Sequence, residues 1–137
     1  MTSTVTIDAS VFVSAFTPTE PAHKASKAFM LHVRDEAIPI IVPIIVLPEI
    51  SAALSRGQGK PELGLAFVQE LHNFPNTTFV DVDTSLANLA VEVAAQNRLR
   101  GSDAVYAAVA LRFGTELITL DKEQLERLPK VLPVRKP

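Results

Sequence analysis

At 137 residues, with 47% hydrophobic and 20% charged positions, the chain has the size and composition of one compact globular unit, read here as a single domain over 1–137. It contains no cysteine, which excludes disulfides, thiolate zinc sites and cysteine nucleophiles and leaves only oxygen or histidine to hold a metal. A formal charge of −2 argues against nucleic-acid binding by phosphate neutralisation alone unless bound cations reverse the sign locally; no run approaches the ~18 to 20 apolar residues of a membrane span, and no secretory signal pattern opens the chain, so a cytoplasmic protein is expected.

Val5 to Ile7 follow a polar start and suit a short buried strand that ends at Asp8, after which Asp8-Ala9-Ser10 interrupts the run before Val11-Phe12-Val13. From Pro21 the residues Ala22, Ala25, Phe29 and Val33 recur at helical spacing, predicting a surface helix that closes near Asp35. Ile38 to Val42 reads as a second buried strand. Pro43 opens the next segment, whose Ile50, Ala53 and Leu54 carry a helix towards Arg56 and Gly57, with Pro48 in its first turns, where a missing N–H costs least. Gly57 to Pro61 reads as a loop.

Glu62 to Phe74 is amphipathic at helical spacing, and Thr78 to Val82 is the third strand. Asp83-Thr84-Ser85 marks the start of a helix running to about Asn97. Ser102 is placed to cap a helix over Ala104 to Phe113, whose low polarity predicts burial on most sides. Glu116 to Leu120 is the fourth strand, Lys122 to Leu128 a short helix, and Val131 to Val134 a candidate fifth, edge strand.

Strands alternating with helices of this length predict an α/β domain with a parallel sheet, and in such sheets ligands sit beyond the carboxyl ends of the strands. Asp8 and Asp121 follow the first and fourth strands directly, and Glu49 and Asp103 lie in the first turns of helices that enter from the same edge. Taken singly, Asp8 and Asp121 suit helix caps, Asp103 suits a helix N-terminus, and a lone glutamate such as Glu49 suits solvated surface. Their joint placement points further. Two carboxylates ~4 Å apart repel by roughly 4 kcal/mol at an effective dielectric of about 20, so a cluster of four requires protons or cations. Hard oxygen ligands favour Mg²⁺ or Mn²⁺ over Zn²⁺, and such a site suits metal-dependent phosphodiester hydrolysis.

The segments "VTIDASVFVSAF", "VPIIVLPEISAAL", "GSDAVYAAVA" and "LITLDKEQL" resemble, in that order, the four acidic segments of a PIN domain of the VapC toxin type, and the similarity runs from about Thr4 to Val134. The resemblance implies a three-layer α/β/α fold around a central, mainly parallel sheet of four or five strands. It implies Mg²⁺- or Mn²⁺-dependent cleavage of single-stranded or looped RNA, and a homodimer held inactive by a cognate antitoxin. Carried over by position, Asp8, Glu49, Asp103 and Asp121 are the metal-site acids, with Asp8 and Asp103 the direct ligands. Ser10 and Thr119 match small hydroxyl positions that orient carboxylates or waters. Many relatives carry another acid or Asn soon after the fourth aspartate; here Lys122 and then Glu123 follow, which leaves the number of ions open.

Other readings fit less well. A haloacid-dehalogenase-type phosphotransferase wants a second aspartate where Ser10 stands, and a receiver domain wants an acidic pair before its phosphorylated aspartate. His23 and His32 share a predicted helix but point roughly 180° apart at ~100° per residue, so they do not form an acid–base pair. Lys24, Lys27, Arg34, Arg56, Lys60, Arg98 and Arg100 are scattered, suiting solvated surface as well as phosphate contacts, and Tyr106 reads as core packing. The rival from another class is a PIN-like domain that binds RNA or protein without cutting; a mere scaffold gains nothing from keeping four mutually repelling acids.

Overall fold

The computed structural model describes residues 3–137. In chain order it has β1 (Val5–Ile7), α1 (Ala9–Phe16), α2 (His23–Asp35), β2 (Ile40–Pro43), α3 (Val46–Gln58) and α4 (Pro61–His72). These are followed by β3 (Thr77–Val80), α5 (Thr84–Asn97), α6 (Gly101–Phe113), β4 (Glu116–Ile118), α7 (Lys122–Arg127) and β5 (Val134–Arg135). The strands form one parallel sheet in the order β3-β2-β1-β4-β5, and with its helices this is the three-layer α/β/α arrangement expected. No helix among the described residues is long and apolar enough to cross a membrane.

Because β1 has a strand on each side, every residue in it is buried, and the strand reads as a continuous run rather than an alternating one. Its single polar residue is satisfied: the Thr6 hydroxyl donates to the Ile41 carbonyl at 2.8 Å and lies 2.6 Å from the Thr115 hydroxyl. The chain lays β2 and β3 on one side of β1 and then β4 and β5 on the other, so the direction of winding reverses at the β1–β4 boundary. Beyond the carboxyl ends of those two strands the connections diverge and leave a crevice.

Local differences from the sequence reading have local causes. Val11-Phe12-Val13, to which the sequence pattern assigns no element, belongs to α1: the Asp8 side chain accepts from the Ser10 amide and caps the helix at its start. The α6 helix starts at Gly101, with Arg100 rather than Ser102 at its N-cap and no side-chain capping bond. The α3 helix runs through Gly57 to Gln58, and the turn into α4 is made at Gly59 with φ 66°, a left-handed conformation that glycine adopts without strain. The edge strand is Val134–Arg135, later and shorter than Val131 to Val134. It is pinned by the Arg135 guanidinium, 3.1 Å from Glu116 and stacked 5.5 Å over the Phe29 ring.

The α6 helix is the axle of the core. Ala104, Tyr106 and the run Ala107 to Ala110 are all buried, and the helix lies against β1, β2 and β4 with α5 packed on it. Alanines at these positions let the helix approach the sheet closely, which fixes its first turn and the acid on it. Elsewhere α1 packs on both α2 and α3, α3 packs on α4, and Phe12 of α1 meets Phe67 of α4 edge to face at 6.5 Å.

The α3–α4 contact is closest at Gly64, where a Cβ would stand 2.6 Å from Ser55 Oγ, 2.7 Å from the Ser51 carbonyl oxygen and 2.9 Å from Ser51 Oγ. Alanine is the better helix former by about 1 kcal/mol, but the carbonyl in its way is backbone and cannot rotate aside, and overpacking costs about 1–3 kcal/mol. Gly64→Ala should therefore lower the stability measured by urea unfolding. A gain in stability would show that the two helices separate without loss.

Candidate active site

Asp8 stands where β1 ends, 6% exposed, its amide bonded to the Ile118 carbonyl at 2.9 Å. All three side-chain contacts converge on Oδ2: the Ser10 hydroxyl donates at 2.6 Å, the Ser10 amide at 3.2 Å and the Thr119 hydroxyl at 3.3 Å. The two hydroxyls are themselves held, Ser10 Oγ accepting from the Leu120 amide at 3.2 Å and Thr119 Oγ1 from the Asp121 amide at 3.0 Å. Asp8 is thereby locked to the segment after β4 from two directions.

Glu49, in the first turn of α3, receives the Tyr106 hydroxyl on Oε1 at 2.5 Å. Burial raises the Glu49 pKa above the ordinary carboxylate value; the Tyr106 hydrogen bond opposes this, while the charges of Asp8 and Asp103 add to it. Tyr106 is fully buried, and burial together with the neighbouring carboxylates pushes its own pKa upward, so it remains a proton donor. Asp103, 7% exposed in the first turn of α6, is raised by burial and then by the charges of Asp121 and Asp8. The acids therefore act on one another although they come from four separate stretches of chain.

Asp121 divides its two oxygens. Oδ1 accepts from the Gln124 amide at 2.9 Å and caps α7, whereas Oδ2 accepts from Arg100 Nη2 at 2.8 Å. Arg100 Nε also donates to Asp103 Oδ2 at 3.2 Å, so one guanidinium bridges two of the acids, and Asp103 above all holds it firmly protonated. The Gln124 side chain is fully buried beside Asp103 and favours that carboxylate's charged form, yet neither of its amide atoms makes a well-formed hydrogen bond.

Asp8, Glu49, Asp103, Asp121, Ser10 and Thr119 are thus all gathered at the β1–β4 crevice. Among the described residues, however, no three acidic or histidine groups are close enough together to hold one ion. The donor chemistry suits a hard divalent cation: the oxygens are carboxylate, two of the acids are destabilised in their charged forms, and a buried carboxamide beside them lacks partners. The histidines stay apart, with His23 Nδ1 2.9 Å from the Ser14 carbonyl oxygen. Among the competing acids, Asp83 caps α5 through the Leu86 amide and Glu123 pairs with Arg127.

Arg100, Tyr106 and Gln124 complete the site, and sequence reasoning did not assign them to it. Arg100 had a legible signal, lying three residues before Asp103, where a helix start brings side chains together. The Tyr106–Glu49 bond spans 57 residues and had none.

The PIN domain profile matches residues 5–131, and the chain belongs to the PIN domain family. Among solved structures, the chain is similar to VapC20 of Mycobacterium tuberculosis, a sarcin-ricin loop cleaving toxin, with a TM-score of 0.79, 16% identity, and 98% of this chain and 100% of that one covered. It is also similar to FitAcB from Neisseria gonorrhoeae, with a TM-score of 0.73, 16% identity and 97% of each chain covered. A third is VapBC2 from Rickettsia felis bound to a promoter DNA fragment, with a TM-score of 0.71, 15% identity, and 97% of this chain and 98% of that one covered. At these identities the likeness is one of fold. No curated protein matches the chain in sequence.

The raised carboxylates make stability depend on pH. In the folded protein Glu49 and Asp103 hold protons to higher pH than in the unfolded chain, so between the ordinary value of about 4 and their raised values stability falls as pH rises. Without metal, Glu49→Gln combined with Asp103→Asn should be matched by wild type at the acidic end and gain on it as pH climbs to neutrality. Tyr106→Phe removes a bond that favours ionised Glu49 and should extend the loss to higher pH. Parallel unfolding curves for wild type and the double variant from pH 4 to 7.5 would show that neither burial nor the neighbouring charges raise these two acids.

Proposed function

We propose that this protein is an Mg²⁺- or Mn²⁺-dependent endoribonuclease, one PIN domain over 1–137, acting as the toxin of a toxin–antitoxin pair. The observation that carries the reading is the convergence of Asp8, Glu49, Asp103 and Asp121 at the switch point of the sheet, with burial first and then the charges of neighbouring acids opposing ionisation of Glu49 and Asp103. Asp8 and Asp103 are assigned as direct ligands, since both are buried and both are carried on rigid elements. A divalent ion bound there would supply an activated water and neutralise the charge developing on the phosphate. Ser10 and Thr119 fix the rotamer of Asp8 by loading one oxygen. Glu49, held by Tyr106 and raised in pKa, is placed to exchange a proton with a water in the crevice.

Asp103→Asn keeps the shape of the side chain and the fold. Cleavage of a susceptible RNA by the variant should fall at least about a hundredfold, since metal stabilisation of a transition state amounts to several kcal/mol and each ~1.4 kcal/mol is tenfold in rate. A gel assay with Mn²⁺, with EDTA and with the variant checks this. Persistent cleavage in EDTA, or in a cleanly folded variant, points to another site. Tight RNA binding with no cleavage under any metal favours the non-catalytic alternative.

The partner reading rests on a second feature. A groove of about 440 Å³ between α1, α2 and α4 is lined by Phe12, Phe16, Met30, Leu31 and Phe67, with Lys27 and Arg34 also contributing. Its concave form suits an inserted antitoxin segment with apolar anchors and acidic flanks. Leu63 and Leu65, exposed on α4 and outside the groove, remain available for a homodimer. Leu31→Glu should abolish co-purification with the product of the adjacent reading frame while circular dichroism stays unchanged. A surviving complex would place the antitoxin elsewhere.

A further inference from the structure

The Arg100 guanidinium joins two carboxylates from different parts of the chain, Asp103 Oδ2 through Nε and Asp121 Oδ2 through Nη2. The asymmetry of exposure is unusual for a surface ion pair: the arginine side chain is 68% exposed, whereas those of Asp103 and Asp121 are 11% and 18% exposed. Oδ1 of Asp121 is already committed to capping α7, so Arg100 takes its remaining oxygen. A positive charge on a side chain thus sits at the point where the acid cluster most requires a cation.

We propose that Arg100 is a built-in counter-ion that competes with a divalent cation for Asp103 and Asp121, and that once displaced its guanidinium binds a phosphate of the RNA strand at the mouth of the crevice. The inference rests on the nuclease reading above. An arginine cannot give up its charge, so it yields to a second cation only by turning away. Little holds it in place: it stands at the N-cap of α6 with no capping bond of its own, its side chain faces solvent, and what it surrenders is a pair of partly exposed ionic contacts. The same planar fork of donors that fits two carboxylates fits the oxygens of a phosphate. Metal and RNA then bind with positive coupling, because each favours the outward position of one side chain.

The test is a calorimetric titration of Mn²⁺ into metal-free wild type, Arg100→Gln, Arg100→Lys and Asp103→Asn. It is paired with fluorescence anisotropy of a phosphorothioate single-stranded RNA in EDTA and in saturating Mn²⁺. Arg100→Gln should bind Mn²⁺ severalfold more tightly than wild type, and Arg100→Lys, which keeps the charge, should return towards wild type. Wild type should gain RNA affinity when Mn²⁺ is added, and Arg100→Gln should lose most of that gain. If Mn²⁺ binding is abolished by Asp103→Asn but is no tighter in Arg100→Gln, or if the Mn²⁺-linked gain in RNA affinity survives in Arg100→Gln, the proposal falls and the nuclease reading stands. If neither wild type nor Arg100→Gln binds Mn²⁺, both fall together.

Discussion

Burying the Asp8 carboxylate at the end of the central strand obliges the surrounding chain to supply donors, and the donors come from two segments. Ser10 belongs to the first turn after β1, and Thr119 belongs to the segment after β4, so the bonds to Oδ2 tie together the two strands between which the winding reverses. The backbone carries the arrangement further, with the Leu120 amide held by Ser10 and the Asp121 amide by Thr119. Satisfying one acid therefore positions the next. An unpaired charge at that depth would be costly, and the solution adopted by this chain doubles as a scaffold for the crevice.

The remaining acids arrive by different means. Asp103 is carried on a helix whose alanines let it lie close to the sheet, and Glu49 on a helix whose orientation is checked by a hydroxyl from that same alanine-rich helix. Tyr106 is a core residue by burial and a site residue by its tip, the division of labour that aromatic residues with a polar end allow. The cost of burying these carboxylates and gathering them together is visible in the raised pKa values of Glu49 and Asp103, and the partial remedy in the guanidinium that spans two of the acids.

Much of this was legible before any coordinates. A continuous apolar run marked β2 because buried parallel strands have no polar face, β-branched residues marked β1, and Asp83 and Asp121 marked helix starts because capping is a local act. The acids could be placed at one edge since strand ends in parallel sheets share a direction. The α1 helix went unassigned because its valines favour strands locally, and the cap that Asp8 makes at its start decides for a helix. Ser102 misled for a related reason: a good capping residue does not oblige a helix to begin after it. The Tyr106–Glu49 bond was invisible, since nothing in sequence tells which buried hydroxyl meets which distant carboxylate.

The two oxygens of Asp121 have separate duties, one closing the first turn of α7 and the other facing the crevice. Torsion about a single side-chain bond moves both at once, so any adjustment of the crevice is transmitted to the last helix, and through its contact with β5 to the edge of the sheet. The C-terminal segment is in that sense mechanically geared to the site. Gln124 of that helix lies beside Asp103, and the rest of the segment is joined to the crevice through the one carboxylate they share.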